Sequence, residues 1–155
     1  MVLFKKAHEK VVKQKDKVLK DKLKTVGQYE GEAKRVFQKF IRLRDVGLPC
    51  ISCGSNSPLI DGGHFKKAEI YSGVIFNEHN CNAQCQKCNR FLGGNELNYR
   101  VGLIEKIGLA AVEELEQLAD ETRRTKLSKD DLTQIKKTYQ KKIIVLTKLQ
   151  LLSTQ

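Results

Sequence analysis

The sequence predicts an α+β fold, a small cysteine-stapled centre with a short β-hairpin flanked by long basic helices at both ends. Three observations predict it. Apolar residues recur at helical spacing towards both termini, lysines and arginines concentrate in those same regions, and all five cysteines, both prolines and most of the glycines fall between Leu48 and Gly94, a composition that builds turns, short strands and ligand loops. At 155 residues and 17.6 kDa the chain has the size of one domain. One compact core is therefore expected, organised as a lysine-rich helical arm over 1–29, a knuckle-bearing core with its flanking helices over 30–120 and a basic C-terminal helix over 121–155.

Each element has its own signal. Phe4, Ala7, Val11, Val18 and Val26 lay a thin apolar stripe among lysines and predict a long first helix. Ala33, Val36, Phe37, Phe40 and Ile41 make a stronger stripe over 30–44, and Gly47 with Pro49 stops that helix. Asn95 can cap a helix in which Tyr99, Leu103, Ile104 and Ile107 share a face, and Gly108 ends or bends it before helix resumes over 110–118. Ser128 with Asp131 three positions later resembles a capping box, and Leu132, Ile135, Tyr139, Ile143, Leu146 and Leu149 form the last stripe.

Charge narrows the class of partner. Lys+Arg 29 against Asp+Glu 18 gives a formal net charge of +11. Residues 1–24 hold nine lysines and three acids, and residues 121–155 hold nine basic residues and three acids, so each end carries about +6 and the middle is left near −1. Such arms suit a polyanion, nucleic acid first, gripped by its phosphates over a wide footprint, and argue against acidic or purely apolar targets. No apolar run approaches the roughly 18 residues a bilayer-spanning helix needs, and the lysine-studded first 25 residues hold no apolar stretch followed by a small-residue cleavage site. A soluble, intracellular protein with no membrane partner is expected, in which cysteines are thiolates on a metal or reduced core thiols rather than a disulfide framework.

Cys50-Ile51-Ser52-Cys53 and Cys85-Gln86-Lys87-Cys88 are two C-x-x-C pairs. At that spacing a tight turn points both sulfurs at one ion, and two pairs complete a tetrahedron of thiolates suited to Zn²⁺. A closed site of this kind has no open position for substrate, so the zinc is structural. Gly54 follows the first pair, where a knuckle needs a positive φ. Cys81 has no partner at knuckle spacing and reads as a small buried hydrophobe, with a spare ligand as the alternative. The pairs stand 31 residues apart, so something is inserted between them.

The insert carries Asp61-Gly62-Gly63-His64 and Asn80, and Asn89 follows the last knuckle cysteine. A histidine, a middle asparagine and an Asn or His just past the final cysteine are the landmarks of the HNH, or ββα-metal, nuclease pattern. With the stretches Arg44-Asp45-Val46-Gly47-Leu48-Pro49-Cys50-Ile51-Ser52-Cys53-Gly54, Gly63-His64-Phe65, Gln84-Cys85-Gln86-Lys87-Cys88-Asn89 and Gly94-Asn95 with Tyr99, the chain resembles the phage recombination protein NinG family, also called Rap, over about residues 33–145. The resemblance implies a ββα-metal centre and a structure-specific endonuclease acting on branched DNA, such as Holliday junctions and displacement loops, in the cytoplasm of a bacterial host.

The chemistry stands beside the resemblance. Phosphodiester hydrolysis needs a base for water, a cation for the charge on phosphate and leaving oxygen, and a scaffold that aligns both. His64 is the plausible base, because imidazole titrates near neutral pH. Asn89 offers a carbonyl oxygen to a hard cation, Mg²⁺ or Mn²⁺. Asn80 orients His64 or pins the loop. HNH enzymes commonly carry Asp immediately before the base, whereas this chain has Gly63; Asp61 is the nearest carboxylate, with His79 and Asn82 as alternatives and a plain turn as its other role. Arg42, Arg44, Lys66, Lys67, Lys87, Arg90 and Arg100 surround the site in sequence and can contact phosphates, and Asn95 either touches phosphate or caps its helix. With aromatics at 6% and no Trp, recognition of shape and backbone is favoured over a stacking platform. Cutting two strands of a junction implies a homodimer, held by the apolar stripes of the terminal helices unless these pack on the chain's own core. A zinc-stapled DNA-binding module without catalysis and an RNA-directed nuclease are the competing expectations.

Overall fold

The computed structural model describes residues 2–153, without the side chains of residues 2–7, 17, 18, 20, 22 and 153. The side chains of Phe4, Ala7 and Val18, expected on the first stripe, therefore lie outside the described residues. Helix α1 (Val2–Leu23) is followed by α2 (Val26–Arg44), which starts ahead of the expected Glu30 because Thr25 and Gln28 form a capping box. Gln28 N donates to Thr25 Oγ1 at 3.3 Å, and Thr25 N donates to Gln28 Oε1 at 2.8 Å.

Helix α2 buries Ala33, Phe37, Phe40 and Ile41, and its main partner is α5 (Lys129–Ser153). The Tyr139 ring of α5 lies 4.8 Å from that of Phe37 and 5.0 Å from that of Phe40. Lys136 pairs with Glu32 at 2.7 Å, and Gln150 Nε2 donates to Leu43 O at 3.1 Å, so the two helices run side by side in the same direction. The start of α5 is fixed by the expected box, with Asp131 N donating to Ser128 Oγ at 3.1 Å and Ser128 N to Asp131 Oδ2 at 2.9 Å. The C-terminal stripe thus packs on the chain's own core from Leu132 to Leu146, whereas Ile144, Val145, Leu149, Leu151 and Leu152 remain exposed.

Strands β1 (Ile60–His64) and β2 (Cys81–Cys85) form a two-stranded antiparallel sheet. Its register pairs Ile60 with Cys85, Gly62 with Ala83 and His64 with Cys81 on one face, and Asp61 with Gln84 and Gly63 with Asn82 on the other. The first face lies on α2, where Cys81 joins Phe37, Phe40 and Ile41. The second lies under α3 (Glu96–Ile107), whose Tyr99 Oη donates to Gly63 O at 2.8 Å and accepts from Asn82 Nδ2 at 3.1 Å. Behind α3 packs α4 (Leu109–Glu121), and Tyr99, Leu103, Val112, Leu115 and Ala119 close a second core over Phe65 and Val74. Each such large side chain stabilises the fold by about 1.5–3 kcal/mol relative to exposure. A π-helical turn, Lys87–Phe91, follows β2, so strand, strand and helical turn succeed one another around the cysteines.

One charged hub ties hairpin to helices. Asp45, only 4% exposed, accepts from Arg44 Nε and Nη2 at 2.8 and 2.7 Å, from Ala83 N at 2.9 Å and from Lys106 Nζ at 3.4 Å. Burial alone would raise its carboxyl, but Arg44, the Ala83 N–H and Lys106 outweigh burial and hold it below the ordinary range. No helix among the described residues is long and apolar enough to cross a membrane.

Candidate metal centre and polar site

The sulfurs of Cys50, Cys53, Cys85 and Cys88 all lie within 4.8 Å of one another. Four thiolates from two knuckles, in a helix-rich chain with a small antiparallel sheet, form a donor set that could hold a metal such as zinc. Each knuckle is built locally. Gly54 N donates to Cys50 O at 2.8 Å with Gly54 at φ +68°, and Cys88 N points at Cys85 Sγ at 3.5 Å. Asn95 Nδ2 lies 3.4 Å from Cys88 Sγ, and the Ser55 hydroxyl, 3.2 Å from Cys53 Sγ, draws the Cys53 thiol down to about 6. Such outer hydrogen bonds orient thiolates and ease their charge. Ser55 was not a sequence candidate; its only signal was a hydroxyl two residues past a knuckle cysteine. Cys81 stands apart among the α2 aromatics, where burial pushes its thiol up to about 12.

His64 ends β1 with its Nε2 2.9 Å from Ile75 O. A carbonyl only accepts, so the proton sits on Nε2 and Nδ1 carries the free lone pair. The imidazole stacks on Phe37 with centroids 6.4 Å apart, and burial lowers its pKa below 6.5 despite the Ile75 bond. Asn80, fully buried, accepts from Lys66 N at 2.7 Å and donates to Lys66 O at 3.1 Å and Val74 O at 3.0 Å. It pins the loop that presents Ile75 O and so fixes His64 at one remove. Ile75 contributes only a backbone carbonyl, which no side-chain pattern announces.

Asp61 and Asn89 meet. Asn89 Nδ2 donates to Asp61 Oδ2 at 3.1 Å, and Arg90 grips both carboxylate oxygens, Nε at 2.8 Å and Nη2 at 3.0 Å. Burial works to raise the Asp61 carboxyl, but Arg90 and Asn89 prevail and hold it low. Strand alternation puts Asp61 on the face of Gly63, opposite to that of His64. The structure explains the glycine. A Cβ on Gly63 would stand 2.0 Å from Gln84 Oε1, so the Gln84 side chain already fills the space that a residue before His64 would use. Gln84 is fully buried, and its Nε2 donates to Ser52 Oγ at 2.7 Å and Gly94 O at 2.6 Å, which leaves Oε1 as the buried side-chain atom without a hydrogen-bond partner among the described residues. Of the other two alternatives, His79 is exposed, and Asn82 is bonded to Tyr99, Lys106 and Arg44.

The basic residues divide. Arg42, Lys67 and Lys87 are exposed, and Arg90 is exposed while holding Asp61. Arg44 is turned inward, donating to Glu78 O, Cys81 O, Asn82 and Asp45, which commits its donors to the fold. Arg100 pairs with Glu116 at 2.9 Å, and Lys66 lies between Glu116 and Glu96 at 3.5 and 3.8 Å. Asn95 precedes α3 without capping it: its left-handed backbone, φ 46°, turns the side chain towards Cys88.

A family model described as "Bacteriophage Lambda NinG protein" matches residues 3–149. Among curated proteins the chain is similar to Protein ninG of Salmonella phage P22, 39% identical over 128 residues, which cover 82% of this chain and 62% of that protein. It is also similar to Protein ninG of Escherichia phage lambda, 38% identical over 128 residues with 82% and 61% covered, and to that of Escherichia phage 933W, 38% identical over 132 residues with 84% and 64% covered. The chain spans about three-fifths of the length of these relatives. No solved structure matches it.

Proposed function

The chain belongs to the bacteriophage lambda NinG family, and from that premise we propose that it is a metal-dependent endonuclease of the HNH, or ββα-metal, kind that hydrolyses phosphodiester bonds in branched double-stranded DNA during phage recombination, in the host cytoplasm and as a homodimer. The observation that carries the proposal is His64, held by Ile75 O through Nε2 so that Nδ1 is free and neutral near pH 7. In this reading Nδ1 takes a proton from water as the water oxygen bonds to phosphorus and the strand oxygen leaves. Asp61 and Asn89, already in contact, offer an anionic and an amide oxygen, a donor set that fits a hard cation such as Mg²⁺ or Mn²⁺. Bound there, on the strand face opposite His64, the cation would supply positive charge to the DNA backbone. The exposed Arg42, Lys67, Lys87 and Arg90 position the backbone, and Zn²⁺ on the four cysteines holds hairpin and helical turn together.

A second reading, a zinc-stapled DNA-binding module without catalysis, draws on one observation. Arg90 occupies both Asp61 oxygens and so competes with a cation there. Incubating the protein with a labelled four-way junction, a matched linear duplex and a structured RNA, with Mg²⁺, with Mn²⁺ and without either, separates the readings. The nuclease reading expects nicks in the junction that require the added cation. Tight junction binding with no cut under any condition transfers the case to the binding module, and cleavage confined to RNA replaces the substrate.

A further inference from the structure

Between the cysteine centre and α3 the chain holds Phe91 out to solvent. Its side chain is 80% exposed, whereas Phe37, Phe40 and Phe65 are buried and Phe76 is packed against the α2–α5 core. Leu92 beside it is 51% exposed. The segment is firmly tied. Leu92 N donates to Lys87 O at 3.0 Å, Gly94 N to Cys88 O at 3.0 Å and Asn95 N to Leu92 O at 2.9 Å, while Gln84 Nε2 clamps Gly94 O at 2.6 Å. Gly93, Gly94 and Asn95 follow one another in left-handed conformation, φ 60°, 92° and 46°, which turns the chain sharply away and leaves Phe91 and Leu92 at its outer side. Phe91 and Leu92 together give this braced turn an apolar outer side in contact with water.

Its neighbours indicate the kind of partner. Arg90 precedes Phe91 directly and binds Asp61, and exposed Lys87 opens the same helical turn. An aromatic face bordered by cations complements a polyanion that also presents flat apolar faces. In intact duplex those faces are stacked away, while at a branch point they can be parted, and apolar side chains wedge into such steps. We propose that Phe91, with Leu92 at its side, enters the opening at a DNA branch and stacks on a base there, setting the preference for branched over linear DNA. The proposal rests on the DNA-directed reading above but not on catalysis. It is compatible with recognition of shape and backbone rather than a stacking platform, since a wedge needs only one ring.

The test is binding in magnesium-free buffer. Wild type, Phe91→Ala and Phe91→Trp are titrated onto a four-way junction carrying 2-aminopurine at the branch and onto the matched duplex, with zinc content and sedimentation mass measured on the same samples. Phe91→Ala is expected to lower the junction-over-duplex affinity ratio about tenfold, within the range for loss of one base–aromatic stack, with duplex affinity and zinc content unchanged. It also weakens the 2-aminopurine response, and Phe91→Trp restores both. An unchanged ratio in Phe91→Ala overturns the proposal, as does an equal loss on both DNAs, a change in mass that assigns the ring to a second copy, or a wild type without junction preference. Cleavage with Mg²⁺ is scored separately: no cutting beside a fallen ratio removes the nuclease reading and keeps the wedge.

Discussion

At the scale of single residues, the environment of His64 makes a kinetic statement. Burial lowers its pKa below 6.5, and a base must be unprotonated to act. On the proposed nuclease reading, cleavage is expected to be full at neutral pH and to fall as pH drops through a value below 6.5, measured as the acid limb of a single-turnover pH–rate profile. Gly63 makes a structural one. Gly63→Ala forces a Cβ against Gln84 and should cost about 1–3 kcal/mol in a denaturant titration, and the added change Gln84→Ala should return part of that loss. A Gly63→Ala variant as stable as wild type would show that Gln84 moves aside freely. His64, Asn89 and the four cysteines were legible as residue types at telling intervals. Gln84 and Ile75 were not, because one acts by filling space and the other through its backbone.

At the scale of elements, two devices hold the hairpin. The cysteine centre joins the turn at 50–54 to the end of β2, and a metal held by its four sulfurs would add folding energy. Chelation, or Cys88→Ser, should lower the melting temperature and remove about one equivalent of zinc per chain, read by calorimetry and elemental analysis. The Asp45 hub is the second device. Asp45→Asn leaves Arg44 and Lys106 without their buried counter-charge and should destabilise by about 3 kcal/mol. Because the folded pKa of Asp45 lies below its ordinary 3.8, its contribution is present above that pH and fades as acid titrates through the lower folded value, so the acid limb of wild-type unfolding should be steeper than that of Asp45→Asn. The helices were legible from their stripes, as was the box at Ser128. Strand β2 was not, because Asn82 and Gln84 look like loop residues until Tyr99, Ser52 and Gly94 are seen to satisfy them.

At the scale of the whole molecule, sequence order concealed the main packing. The charge count treats the two ends alike, yet α5 closes one core against α2 while the described apolar side chains Val11, Val12, Leu19 and Leu23 of α1 are exposed. Parallel packing of helices so distant in sequence leaves no local signature, since each stripe reports only that it is buried, not against what. The same packing separates cations by role, with Arg44 held inside and Arg42, Lys67 and Lys87 outside, which a count of charges cannot do. The proposed nuclease activity depends on His64 acting as a base. The most direct measurement is the single-turnover rate of junction cleavage with Mg²⁺ by wild type and His64→Ala, on samples matched for zinc content and junction affinity. A loss of about a hundredfold or more is expected in the variant; equal rates in the two proteins would remove His64 as the base.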